Sequence, residues 1–129
     1  MLIQGVLNPD LLHMLARFRH TNTLVIADRG FPSWPGLPTL DLSVVDGLPT
    51  VLQILVAIRP NLMLGGAFMA REFKGCNTKA VQDRFAKSFH GVTVTWEPHV
   101  AFKKRVPGSI GLIRTGDTIH YANMILVSA

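Results

Sequence analysis

The sequence predicts one α/β domain over residues 1–129, doubly wound in three layers around a largely parallel sheet, on three observations. Short β-branched apolar runs alternate with segments of helical spacing along the chain. The first such run, Thr23 to Ala27, is almost continuously apolar, as in a strand covered on both faces. No repeat, low-complexity tract or composition break marks a second domain, and 129 residues can bury a core without disulfide or metal staples.

The elements follow in order. Asn8-Pro9-Asp10 places a capping residue, a first-turn proline and an acid ahead of one apolar face made by Leu11, Leu12, Leu15 and Phe18, which predicts a helix. After the Thr23 to Ala27 strand, Gly30, Pro32, Pro35, Gly36 and Pro38 make residues 29–38 a stiff loop over its end. Thr39 to Val45 reads as a strand, Asp46-Gly47 as a turn, and Leu48 to Ile58 as a helix opened by Pro49. Asn61 to Met69 reads as a third strand, and Thr78 caps a helix that carries Val81, Phe85 and Phe89. Val92 to Trp96 alternates as a strand, Glu97 to Arg105 reads as a short helix, and strands Ile110 to Arg114 and Asn123 to Val127 close the fold around Thr115-Gly116-Asp117.

Composition narrows the partners. Apolar residues make up 48% and charged residues 16%, which leaves too little polarity to cover a small monomer and predicts a homo-oligomer. The net charge of +5 is spread along the chain, with Lys103-Lys104-Arg105 as the single run, and nothing resembles an RNA-binding aromatic motif or a basic helix. A modestly basic cleft for a polar or anionic small molecule fits this charge better than nucleic acid does. Cys76 is alone, so neither an intrachain disulfide nor a cysteine zinc site is expected, and the cytoplasm is the default location. Met1-Leu2-Ile3-Gln4, with Asp10 close behind, lacks the basic start and long apolar run of a signal peptide, and Ile54 to Ile58 is far short of a membrane span.

The chemistry open to such a chain is acid–base work on a polar ligand. Asp28 follows the first strand directly, and carboxylates at the carboxyl ends of strands in open α/β sheets face the ligand crevice. Of the five histidines, His13 lies beside a helical apolar face and His90 ends a helix, both structural positions. His20, His99 and His120 stand in loops or at element ends, where imidazole can exchange protons near neutrality. No two histidines stand four apart, no Gly-x-Ser-x-Gly elbow occurs, and Gly65-Gly66 lacks the third glycine and the lysine of nucleotide loops. Neither a metal nor an organic cofactor is expected.

The stretch His20-Thr21-x-Thr23-Leu24-Val25-x-x-Asp28-x-Gly30 resembles the signature of the D-ribose pyranase and L-fucose mutarotase family. His99-x-x-Phe102-Lys103 and Arg114-Thr115-Gly116-Asp117 followed by Tyr121-Ala122-Asn123 resemble it too, in order and spacing, from Leu7 to Leu126. The resemblance implies a cofactor-free sugar isomerase that interconverts pyranose and furanose forms of D-ribose or a similar monosaccharide. It also implies assembly into rings of about eight to ten subunits. By position it makes His20 the proton donor and Asp28, His99, Lys103, Tyr121 and Asn123 sugar-binding residues. His99-Val100-Ala101-Phe102-Lys103 and Gly30 resemble the ribose type, whereas Phe31-Pro32 is closer to the fucose type. An L-fucose-type mutarotase and a non-catalytic sugar-binding protein on the same fold are the alternatives. Tyr121, Phe31 or Trp34 could supply an aromatic face for the sugar. His20 and Asp28 flank a strand about 13–17 Å long at ~3.3 Å per residue, so one small sugar is expected to reach both only if two subunits share each site or the backbone folds back before Thr23.

Overall fold

The computed structural model describes residues 1–129. In helix α1 (Pro9–Ala16) the Asn8 side chain accepts the Leu11 N–H at 2.9 Å, and Leu11 and Met14 are buried. Strand β1 (Thr23–Ala27) follows with the predicted bounds. Strand β2 (Thr39–Asp41) is shorter than predicted, because the Asp41 carboxylate accepts the Ser43 N–H at 2.9 Å and turns the chain off the sheet. The Ser43 hydroxyl and amide together hold the Asp41 carboxyl below the usual carboxylate range. Helix α2 (Val51–Ile58) starts after Pro49, because Thr50 and Gln53 cap each other's backbone N–H groups at 2.8 and 3.1 Å.

Strand β3 (Leu64–Ala70) leads into helix α3 (Glu72–Cys76), a single turn with no counterpart among the predicted elements. Its Phe73 packs on Phe85 of helix α4 (Lys79–Ser88) with ring centroids 4.7 Å apart. Strand β4 (Val94–Glu97), helix α5 (His99–Arg105), strand β5 (Leu112–Arg114) and strand β6 (Met124–Ser128) complete the chain.

The strands lie in the order β2-β5-β1-β6-β3-β4. All run parallel except β6, which is antiparallel to both neighbours, β1 and β3. The sheet is therefore largely parallel, as expected. Leu24 and Ile26 of β1, Ile113, Met124 and Leu126 pack in one core with side chains of α1, α2 and α4. Val25, Ala27, Leu112 and Ile125 point the other way, to Phe102 of α5 and to Phe31. Both faces are covered, which gives the three layers. A register slip of one residue would exchange the two cores, so the central strands are firmly set. No helix is long and apolar enough to cross a membrane.

The lone antiparallel strand decides where a site can form. Because β6 runs against its neighbours, the residues just before it meet the loops that leave the carboxyl ends of β1 and β3.

Candidate active site

Asp28 is the first residue after β1 and Asn123 the last before β6, and the pairing of Ile26 with Met124 sets them side by side. The Asp28 N–H donates to Asn123 Oδ1 at 2.7 Å, and Asn123 Nδ2 donates to Asp28 Oδ2 at 3.0 Å. Asp28 Oδ1 accepts the Gly30 N–H at 2.9 Å. Each carboxylate oxygen is thus held by one donor and keeps a lone pair for a ligand hydroxyl.

His99 opens α5 just beyond β4. Pro98 offers no side-chain cap, and the Glu72 carboxylate from α3 accepts the His99 N–H at 2.7 Å instead. The imidazole stacks on Phe102 at 6.0 Å and meets Tyr121 at 5.0 Å and Phe31 at 6.3 Å, both edge-on. Its Nδ1 is buried and has no hydrogen-bond partner. A buried orphan N–H is rarer and costlier than an unused lone pair, which puts the proton on Nε2. Burial, then the charge of Lys103, pushes the His99 pKa below the usual histidine value, against smaller opposing effects of Glu72 and Asp28. His99 is accordingly a neutral hydrogen-bond donor and a poor base.

The loop between β5 and β6 is a rigid mount. Thr115 Oγ1 donates to the Ala27 carbonyl at 2.8 Å. Buried Asp117 accepts the Val51 N–H with Oδ2 and the Ile119 N–H with Oδ1, both at 2.8 Å, which ties the loop to the first turn of α2. Arg114 donates to the Phe31 carbonyl and, at 3.2 Å, to Ser33 Oγ, holding the proline loop over the sheet. Tyr121 takes a left-handed backbone at φ 56°, uncommon away from glycine and asparagine.

A cleft of about 330 Å³ opens among these groups, with Asp28, Asn123 and His99 supplying polar contacts and Phe31 and Tyr121 the aromatic walls. Trp34 lies behind Phe31, with ring centroids 5.2 Å apart, and does not line the cleft. Of the sequence-predicted residues, Asp28, His99, Tyr121 and Asn123 come together. His20 does not: it is exposed beyond the other end of β1, where its Nδ1 pairs with the Ala129 main-chain oxygen. Lys103 sits one turn along α5 and lines a separate groove with Trp34 and Lys104. His120 and Thr118 also line the cleft but were not among the predicted ligand residues. His120 had stood out as a loop histidine, whereas the one sequence signal for Thr118 was closeness to Tyr121.

The whole sequence, residues 1–129, matches the family described as the RbsD / FucU transport protein family. The chain is 38% identical to the D-ribose pyranase of Geobacillus kaustophilus, covering 96% of this chain and 90% of that one. It is similar at 30% identity to the Bacillus subtilis RbsD solved in complex with D-ribose, covering 100% and 98% of the two chains with a TM-score of 0.93. The fucose mutarotase of Streptococcus pneumoniae, solved with L-fucose, shares the fold at a TM-score of 0.79 and 23% identity over 95% and 92%. With its whole length matched and its fold shared, this chain belongs to the RbsD/FucU family.

Proposed function

We propose that this chain is a sugar isomerase of the pyranase type, interconverting pyranose and furanose forms of D-ribose or a close relative by acid–base chemistry, and that it works in the cytoplasm. The reciprocal Asp28–Asn123 pair carries the reading. It presents a fixed carboxylate and amide beside a neutral imidazole donor and two aromatic walls, the mixture a polyhydroxylated ring needs. Ribose is favoured over fucose because the D-ribose pyranases and the ribose-bound relative match at 30% identity or more, whereas the fucose mutarotase shares the fold alone.

Ring opening moves two protons. The anomeric hydroxyl loses one as the bond from the anomeric carbon to the ring oxygen breaks, and the ring oxygen gains one, leaving an open-chain aldehyde. Reclosure through a different hydroxyl yields the other ring size. In this reading His20 is the proton-transfer group. A main-chain oxygen can only accept, so His20 Nδ1 carries the hydrogen, and Nε2 takes the anomeric proton on its lone pair and then donates it to the ring oxygen.

His20 and the cleft stand at opposite ends of a five-residue strand, about 17 Å apart at ~3.3 Å per residue. In our reading a neighbouring subunit therefore brings its His20 to this chain's Asp28. Repeated head to tail, such a contact generates a ring when the rotation between subunits closes. The exposed apolar side chains Ile3, Val44, Val56, Met63 and Val100 support assembly.

Saturation-transfer NMR on equilibrated sugars tests the activity. The protein should accelerate exchange between the pyranose and furanose signals of D-ribose. Faster exchange of L-fucose at equal protein concentration would shift the assignment to a fucose-type mutarotase, and no acceleration of either would leave a sugar-binding protein.

A further inference from the structure

His120 lines the cleft at its exposed margin, and its backbone is fixed on both sides. Asn77 Nδ2 donates to the His120 carbonyl at 2.8 Å, the Ile119 N–H is held by Asp117, and the Ala122 N–H donates to the Ile119 carbonyl at 3.3 Å. The imidazole itself is exposed, lines the cleft and is engaged by no hydrogen bond within the chain. A free polar side chain on a rigid mount can bind a ligand with little ordering cost beyond its own rotamer.

Asp28, Asn123 and His99 do not give every hydroxyl of a monosaccharide both a donor and an acceptor. Asp28 can only accept, through the lone pair left on each oxygen, Asn123 Oδ1 already accepts the Asp28 N–H, and both oxygens of Asp117 are taken by backbone amides. His99 offers a single donor, since its Nδ1 is buried. Every hydroxyl of a sugar both donates and accepts. The remaining hydroxyls therefore need other partners lining the cleft, and among these the imidazole of His120, when neutral, has a donor and an acceptor on separate nitrogens.

Building on the sugar reading above, we propose that His120 is a further substrate-contacting residue that sets sugar specificity by hydrogen-bonding a ring hydroxyl of the sugar held at Asp28. It acts on binding, while proton transfer stays with His20.

Exchange kinetics of the wild-type assembly, His120→Ala and His120→Gln on D-ribose, 2-deoxy-D-ribose and 3-deoxy-D-ribose test this. His120→Ala should raise KM for D-ribose roughly 5- to 30-fold, the equivalent of one lost hydrogen bond to a buried partner, with kcat within about threefold. His120→Gln, which keeps a donor and an acceptor, should recover part of the loss. One deoxy sugar should be handled alike by wild type and His120→Ala, identifying the hydroxyl read. An unchanged KM in both variants with an active wild type overturns the inference alone. A fall in kcat at constant KM overturns it too, by making His120 a proton-transfer group. A wild type inert toward every sugar removes the sugar reading and this inference together.

Discussion

At the amino end of β1, His20 is exposed and its Nδ1 is tied to the Ala129 main-chain oxygen, whereas at the carboxyl end of the sheet His99 is half-buried with an Nδ1 that makes no hydrogen bond. The side chains are chemically identical, and their surroundings give them opposite tautomers. An acceptor at Nδ1 leaves His20 a basic Nε2, and a buried, partnerless Nδ1 leaves His99 an Nε2–H. In our reading one imidazole moves a proton and the other holds a hydroxyl. What separates them is the atom at the far side of the ring, which residue type and spacing do not reveal.

The largest effect should come from the amino end. In our reading His20→Ala slows pyranose–furanose exchange by roughly two to four orders of magnitude, the usual range for an acid–base group, with D-ribose still bound. Exchange at the wild-type rate in the folded variant would break the comparison, because the carboxyl end would then suffice alone. Mixing His20→Ala with Asp28→Ala under conditions that exchange subunits sharpens it. Interfaces that pair an intact His20 with an intact Asp28 should restore part of the activity; mixed oligomers that stay inactive would place both groups in one chain's site.

Losses at the carboxyl end should be smaller and fall on binding. Asp28→Asn turns its new NH2 group against one of two donors, the Gly30 N–H or Asn123 Nδ2, and Asn123→Ala leaves both the Asp28 N–H and its carboxylate short of a partner. Each should weaken D-ribose binding by about 1–3 kcal/mol in calorimetry. Wild-type affinity in both variants would remove the pair from the sugar site.

Much of this molecule was legible locally. β1 has the predicted bounds because a β-branched apolar run needs only its own composition to be recognised. Asp28 followed from its place at the end of that strand. The direction of β6 was not legible, since pairing with β1 and β3 arises between segments far apart in sequence, and with it went the contact of Asp28 with Asn123, 95 positions on. α3 was missed because five residues are too few for a helical period to show. Arg114-Thr115-Gly116-Asp117 was visible as a motif without its reason. A Cβ on Gly116 would lie 2.2 Å from the Val45 carbonyl oxygen, so only glycine passes there, and Asp117 serves the backbone of two segments. Lys103 belongs to the same motif as His99, yet it lies one turn, about 6 Å, farther along α5 and lines a separate groove.

The smallest effect concerns that lysine. Its positive charge is second to burial among the causes that keep His99 neutral. In the folded protein His99 therefore gives up its proton at lower pH than in the unfolded chain, where the ordinary value is about 6.5. Between those two values the unfolded chain binds more protons, so the His99 contribution to stability is present above pH ~6.5 and is lost as pH falls through the window. Protonation would also place an N–H on the buried Nδ1, where nothing accepts it. Lys103→Ala removes one of the two causes, which should raise the His99 midpoint toward the ordinary value and narrow the window, visible in the imidazole resonances across a pH titration. D-ribose affinity at pH 7.5 should change less than about twofold, because His99 is neutral with or without Lys103 and the lysine lines a different groove. A loss of affinity beyond about tenfold with an unmoved His99 titration would mean that Lys103 reaches the sugar, returning to the cleft the residue that the geometry leaves outside it.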